Sequence, residues 1–474
     1  MAPSRLAIPG VSIKTLLKRA TSRCPVCQGA CPAEVWKRRD AGGQESVWLE
    51  RCCADHGRAE ACIATDARFY WVAQGDPSRQ CCGGAACSAS DGQARGILGK
   101  NASGTAQSAG TTIENRTESL STCLALIEIV NSCNLACPTC YADSPHSRDI
   151  DAVPLEDLQR RIQGVIDRKR KIEILQLSGG EPTLHPRFFE LLAWCHANPG
   201  IDYVLLNTNG VRIAQDDAFA DELAKTFRYG RFQLYLQFDG VQQAAQYALR
   251  GADLRAVRER AIRRCAATNL PVTLAMTVTA ENLPHLWEAI EYGLKWPNIR
   301  GIAFQPMFES GRTSKAGSKS ADIASRAAWP HARLNTADII LSAVGQSGGR
   351  LSFDDFTPLP CGDPNCATIG YLLKTPEGPR SISEFIDFTA VQAFLRDKMR
   401  YSLEDLAQCG CESEPLGRLL HELELDESHT FRLFIKPFMD AWTWDEDRID
   451  RCCTHVIRPD GKLDSFCRYY ATTR

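Results

Sequence analysis

CNLACPTC, residues 133–140, sets Cys133, Cys137 and Cys140 in a CxxxCxxC spacing directly behind the apolar run Cys123–Asn131. Three thiolates on one short loop can hold three irons of a cubane cluster and leave the fourth iron without a protein ligand, whereas most cluster frameworks supply four cysteines. Structural zinc is the plainer alternative, but it favours paired CxxC units that close four ligands around one ion. The next apolar run, Ile172–Ser178, leads into SGGEP at 178–182. Paired glycines let a ligand approach the backbone closely, and Glu181 could neutralise a cationic amine. Gly-Gly after a strand is commonly just a turn. Its place one strand from the three-cysteine loop gives it weight.

The same alternation continues along the chain. Apolar β-rich runs recur at Tyr203–Asn207, Gln233–Asp239, Val272–Thr279 and Gly301–Met307, with helical stretches at Arg187–Ala197, Asp217–Phe227, Asp253–Thr268 and His285–Trp296. In the third helix Leu254, Val257, Ala261, Ile262 and Cys265 fall at helical spacing and predict the buried stripe. Strand then helix, six times over, predicts a parallel sheet with right-handed crossovers. Six units are short of a complete barrel, so a partial barrel and an open doubly wound sheet both fit. Either one places the active site at the carboxyl ends of the strands. Asn209, Gln237 and Gln305 stand at later strand ends and are candidates for cofactor or substrate contact, or plain capping residues.

The whole chain, at 474 residues, suggests two or three domains. Its 44% hydrophobic and 24% charged residues belong to a globular protein with a real core. Lysine and arginine total 55 against 57 acidic residues, which gives no case for nucleic acid or an anionic membrane as partner. No apolar run approaches the roughly 18 residues of a membrane span. The start lacks a continuous apolar stretch with a small-residue cleavage site, so no secretory signal is expected.

Cysteine is the outlier, with 22 residues. Disulfide scaffolds are usually short and secreted, so metal or cluster ligation is the better reading. Thiolates must stay reduced to bind metal, which implies the cytoplasm. Four regions follow: a metal-binding region at 1–80, a Gly/Ser-rich linker or insertion at 81–120, an α/β core at 121–330 and a second cysteine-rich region at 331–474. In the first, Cys24, Cys27, Cys53 and His56 form CxxC…CxxH, a four-ligand set for one tetrahedral metal. Cys52 or Cys31 would replace His56 in an all-sulfur iron site. In the last, Cys361 and Cys366 (PCGDPNC) join Cys453 and Cys467, which flank the RPDGK turn at 458–462. A turn centred on Asp460 makes Cys453 and Cys467 a cross-strand pair, and the four suit a fully ligated auxiliary [4Fe-4S] cluster. Cys452 would then face away. Cys409 and Cys411 stay unassigned, and Cys195 and Cys265 read as core thiols.

Together the three-cysteine loop and the GGEP segment resemble the radical S-adenosylmethionine superfamily. The resemblance implies a (β/α)6 partial TIM barrel with a [4Fe-4S] cluster on Cys133, Cys137 and Cys140. The open iron would chelate S-adenosyl-L-methionine, with Gly179, Gly180 and Glu181 at its methionine end. Reductive cleavage by an external reductant such as ferredoxin or flavodoxin would give a 5′-deoxyadenosyl radical that takes hydrogen from an unactivated carbon.

The runs CLALIEIVNSCNLACPTCYADS, LSGGEPTLHP, LYLQFDG, FIKPFMDAW and RCCTHVIRPDGKLDSFC look more narrowly like the enzymes related to archaeal tetraether lipid synthase. That family joins isoprenoid chain ends by a carbon–carbon bond and carries auxiliary clusters and a rubredoxin-like mononuclear iron. The implied activity is C–C bond formation on a lipid or other small-molecule substrate, with peripheral membrane contact if lipid tails are used. The cofactors implied are one or two auxiliary [4Fe-4S] clusters and a mononuclear iron or zinc. Relatives carry cysteines where Cys82, Cys87 and Cys123 stand, but the insertion here separates the first two from the third. The alternatives are a radical peptide-maturing enzyme, a radical methyltransferase acting on a pterin-like molecule, and an iron–sulfur electron-transfer protein.

Overall fold

A computed structural model of the chain describes residues 13–73, 122–228, 230–312, 333–359, 362–385 and 427–472. Its first part is an antiparallel four-stranded sheet, β1 (Ile13–Arg23), β2 (Ala30–Arg39), β3 (Glu45–Cys53) and β4 (Gly57–Ala64), in chain order. Ala33, Val35, Val47, Leu49 and Ala64 form its small core. So few apolar side chains make a weak core by themselves, which is the usual reason for a metal staple in a unit of this size.

The second part is the predicted α/β core. β5 (Leu124–Val130), β6 (Ile172–Gly179), β7 (Ile201–Thr208), β8 (Phe232–Gln237), β9 (Val272–Val278) and β10 (Ile299–Pro306) lie side by side in chain order. Every neighbouring pair is parallel. The connecting helices are α1 (Leu155–Lys169), α2 (Phe188–Ala197), α3 (Val211–Gln215), α4 (Asp217–Thr226), α5 (Gln243–Arg250), α6 (Arg255–Ala267) and α7 (Leu286–Leu294). In α1, Leu155, Leu158, Ile162, Val165 and Ile166 recur at helical spacing and are buried against the sheet. In α6, Leu254 at the start and Ala261, Ile262 and Cys265 are buried as the pattern predicts, but Arg258 is buried with them and Val257 only partly.

The tail does not stand apart from this sheet. After α8 (Thr336–Gln346) come β11 (Thr357–Pro358), β12 (Thr368–Thr375), β13 (Gly378–Ser381) and β14 (Thr430–Ile435). β14 joins β10 as a seventh parallel strand and is covered by antiparallel β12. After α9 (Glu446–Asp450), β15 (Thr454–Ile457) joins the opposite edge, parallel to β5, and β16 (Leu463–Ser465) pairs with β15. The tail thus covers both edges that six strands would leave open, satisfying backbone groups that would otherwise recruit another chain. The hairpin register is the predicted one, Ile457 opposite Leu463 and His455 opposite Ser465. The chain turns helical at Phe466 to form α10 (Phe466–Thr472), so Cys467 lies on a helix and Cys453 just ahead of β15. These two are therefore not a cross-strand pair. Among the described residues no helix is long and apolar enough to cross a membrane.

Candidate active site at the carboxyl ends of the strands

The three-cysteine loop leaves the carboxyl end of β5 and is fixed from several sides. Arg312 staples it, with backbone bonds to Cys140 in both directions and side-chain bonds from Nε to the Cys137 carbonyl and Nη2 to the Ser144 carbonyl, 2.9 and 3.0 Å. From β8, the buried Asp239–Arg250 ion pair (2.6 Å) reaches over to it, and Arg250 donates to the Thr139 carbonyl and acts electrostatically on the Cys137 thiol. Burial pushes the Cys133 thiol up to about 12, with the nearby Glu181 adding to it.

Gly179 and Gly180 sit where expected, at the end of β6 and on the wall of the barrel lumen. Their small size has a nearer cause than ligand approach. A Cβ on Gly179 would stand 2.2 Å from the Val130 carbonyl oxygen, and one on Gly180 would stand 2.1 Å from that of Ser132. Only glycine lets the β6 end close on the β5 end, and Gly180 N–H then donates to the Val130 carbonyl at 2.7 Å.

Glu181 is fully buried, and protein donors occupy its carboxylate. Oε1 accepts from Thr183 N, Thr183 Oγ1 and Thr208 Oγ1 at 3.2, 2.6 and 2.7 Å, and Oε2 accepts from Asn209 N at 2.7 Å. These bonds tie the ends of β6 and β7 together, filling Oε1 and leaving Oε2 about one acceptor site. Asn209 follows directly and turns its amide toward the loop, donating to Asn134 Oδ1 at 2.6 Å and lying 3.8 Å from Cys133 Sγ. Gln237 and Gln305 also line the lumen. Gln237 accepts from Arg258, and Gln305 donates to the Tyr235 hydroxyl at 2.9 Å.

Arg258 went unread in the sequence because a charged residue in an apolar stripe looks like a solvated one. It is 1% exposed, and burial lowers its guanidinium to about 10. Its Nε and Nη1 have no partner among the described residues. A buried cation with free N–H groups is costly unless a ligand completes it.

The lumen beneath is a cavity of about 340 Å³. Leu126, Leu205 and Ile302 contribute apolar wall, but Gln176, Tyr203, Gln233, Thr273 and Tyr235 line it as well. Tyr203 donates to Gln233 at 2.9 Å and Gln233 to Thr273.

Two further thiol groups lie away from the lumen mouth. Cys24, Cys27, Cys53 and His56 bring their ligand atoms within 4.8 Å of one another. Cys27 Sγ and Cys53 Sγ are 3.9 Å apart, and tetrahedral metal–sulfur bonds of about 2.3 Å would set them about 3.8 Å apart. Cys31 is buried beside Cys24 and Cys53, whereas Cys52 is exposed. No other described set of three or more donors converges so closely.

In the tail, Cys366, Cys453 and Cys467 lie close enough to act electrostatically on one another, with the buried Arg448 guanidinium 3.8 Å from Cys366 Sγ. Cys452, expected to face away, belongs to the same group, since both Cys452 and Cys453 precede β15 and strand alternation does not apply to them. Cys123 is buried at the entry to β5, with its N–H on the Cys453 carbonyl. Cys82, Cys87 and Cys361, together with Cys409 and Cys411, fall outside the described residues. Cys195 and Cys265 are buried core thiols, both pushed up to about 12 by burial.

Residues 127–293 match the family described as Radical SAM superfamily, and residues 16–65 match the HMPTM N-terminal zinc ribbon domain. The chain is 23% identical over 506 aligned positions to the 7,8-dihydro-6-hydroxymethylpterin dimethyltransferase of Methanocaldococcus jannaschii, across 95% of this chain and 93% of that one. It is 31% identical to the mycofactocin maturase MftC of Mycobacterium ulcerans over 34% of this chain and 41% of that one. Among solved structures, Streptococcus suis SuiB bound to S-adenosylmethionine is similar at 20% identity and a TM-score of 0.34, over 44% of this chain and 46% of that one.

Proposed function

We infer that this member of the radical SAM superfamily methylates a carbon of a small polar heterocycle of the pterin kind. The observation that carries this reading is the lumen lining. Gln176, whose amide has no partner among the described residues, and the Tyr203, Gln233, Tyr235 and Gln305 groups offer donors and acceptors around one cavity. A flat heterocycle with alternating donors and acceptors can pair with the Gln176 amide and with the donor and acceptor sites the others have left over, whereas hydrocarbon would leave the Gln176 amide unpaired at about 1–3 kcal/mol. A cavity of about 340 Å³ also sits at the small end of ligand sites, about 300–1,000 Å³. The end-to-end similarity to a pterin dimethyltransferase supports the same choice. Joining lipid tails draws no support from the comparisons and fits this lining less well.

Cys133, Cys137 and Cys140 would hold the cluster, which when bound supplies the electron for cleaving S-adenosylmethionine. Arg258 would take the carboxylate of its methionine end through its free N–H groups. Gly179 and Gly180 offer backbone beside it, and Asn209, Gln237 and Gln305 border it on later strands. Glu181 holds this arrangement rigid. The strands wall the lumen from water, which protects a reactive carbon radical from side reactions. Cys366, Cys453 and Cys467, with Cys361 or Cys452, suit an auxiliary [4Fe-4S] cluster whose charge Arg448 offsets. The N-terminal donor set suits one zinc ion. A reducing compartment follows from so many thiolate ligands.

The test is anaerobic turnover of iron-loaded enzyme with dithionite, S-adenosylmethionine and 7,8-dihydro-6-hydroxymethylpterin. Methylated pterin alongside 5′-deoxyadenosine is expected. Product from isoprenoid lipid and none from pterin would reverse the reading.

A further inference from the structure

The lumen's charges do not balance. Among its lining residues Glu181 is the lone carboxylate, and four protein donors already bind it. Four cations line the same space: Arg250, Arg300, Arg432 and Lys436. Arg250 is neutralised by Asp239, Arg300 donates to the Pro297 carbonyl, and Lys436 donates to Thr454 Oγ1. Arg432 has no hydrogen-bond or ion-pair partner among the described residues.

The fold delivers Arg432 there by a specific device. It lies on β14, between Gly301 of β10 and Tyr371 of β12. Gly301 has a φ of +155°, and a Cβ on it would stand 2.8 Å from the Arg432 Cβ. That glycine lets β14 close onto the six-stranded core and leaves the space above Arg432 open. Following the register across, Gly301 faces Thr273 and Thr273 faces Tyr235. Arg432 therefore sits at the level of Tyr235, two residues and so about 7 Å deeper than Gln237.

We propose that Arg432 anchors an anionic oxygen group of the substrate, a phosphate or carboxylate, partway down the lumen, at the level of Tyr235. The heterocycle then lies beside that anchor, among the Gln176, Gln233 and Tyr235 groups. A guanidinium lining the cavity with no counter-ion among the described residues is a ready fork for such a group, and the excess positive charge draws anions inward. This identifies the substrate class of the site and rests on the methyltransferase reading.

The experiment measures binding to the S-adenosylmethionine-loaded, iron-replete enzyme under anaerobic conditions. The probes are 7,8-dihydro-6-hydroxymethylpterin, its diphosphate ester, 6-carboxypterin and inorganic pyrophosphate. One or both anionic pterins should bind about 10- to 100-fold more tightly than the neutral one, the range of one charge-assisted pair. Which anion wins separates phosphate from carboxylate. Arg432→Gln should erase the preference and Arg432→Lys should keep part of it, while the wild-type preference itself does not depend on how the variants fold. Equal affinity for neutral and anionic pterins overturns the anchor and leaves the methyltransferase reading standing. Failure of every pterin, with pyrophosphate bound through Arg432, overturns the pterin reading and keeps the anchor. Failure of all four probes overturns both.

Discussion

Glu181→Gln separates a strut from a ligand. The carboxylate takes three hydrogen bonds on Oε1 and one on Oε2, all from Thr183, Thr208 and Asn209. An amide here does least harm with its oxygen in the Oε1 place, which turns its NH2 onto the Asn209 N–H. One charge-assisted bond is then lost and two donors face each other in a fully buried spot. That costs about 3 kcal/mol, which for a barrel of this size lowers Tm by about 6–10 °C. The assay is an anaerobic thermal scan of the iron-loaded protein, with S-adenosylmethionine affinity measured on the same sample by calorimetry. The strut account expects the Tm loss together with a modest loss of affinity, because the ends of β6 and β7 come loose together. An unchanged Tm with affinity down a hundredfold would refute it and return Glu181 to the role of ammonium partner.

Other substitutions test other parts. Gly180→Ala forces the β6 end off Ser132 and should cut 5′-deoxyadenosine formation about a hundredfold, as a displacement of about 1 Å does in a preorganised site; near-normal turnover would deny that close approach any importance. Arg258→Met should weaken S-adenosylmethionine binding about 10- to 100-fold, read by the same calorimetry. Cys53→Ser should remove one metal ion per chain by elemental analysis while the iron–sulfur absorbance persists. Burial, with Arg228 and Arg231 nearby, lowers the His196 pKa from 6.5 to about 4. The unfolded chain therefore takes up a proton that the folded chain refuses, and stability contributed above pH 6.5 is lost as pH falls toward 4. The loss, discounted for partial solvent access, is about 1–2 kcal/mol, so His196→Gln should flatten the fall of Tm between those values.

The sequence displayed what repeats and what ligates. Six β-rich runs lie within about two residues of the observed strands because each carries a compact stretch of β-branched and other apolar residues between loops. The zinc-type set Cys24, Cys27, Cys53 and His56 was legible because both CxxC-like halves sit on tight turns of one sheet. The tail was harder. β14 and β15 belong to no strand–helix repeat, so nothing local says that they complete the barrel edges. Cys467 leaves its predicted strand since a register counted from the RPDGK turn cannot foresee a helix beginning at Phe466. Arg258 and Arg432 hid for the same reason: their roles come from where three-dimensional packing puts a charge. Glu181 was found by its motif, yet its four partners lie on two strands and could not be counted in advance.

The central claim is that the iron not held by Cys133, Cys137 or Cys140 is left for S-adenosylmethionine. The most direct measurement is the EPR spectrum of the dithionite-reduced enzyme in a Cys366/Cys453/Cys467→Ala background, where only the loop cluster contributes, before and after S-adenosylmethionine is added. A changed g-tensor on addition is the predicted result. A spectrum identical in both states, or a fourth protein ligand on that iron, would contradict the account.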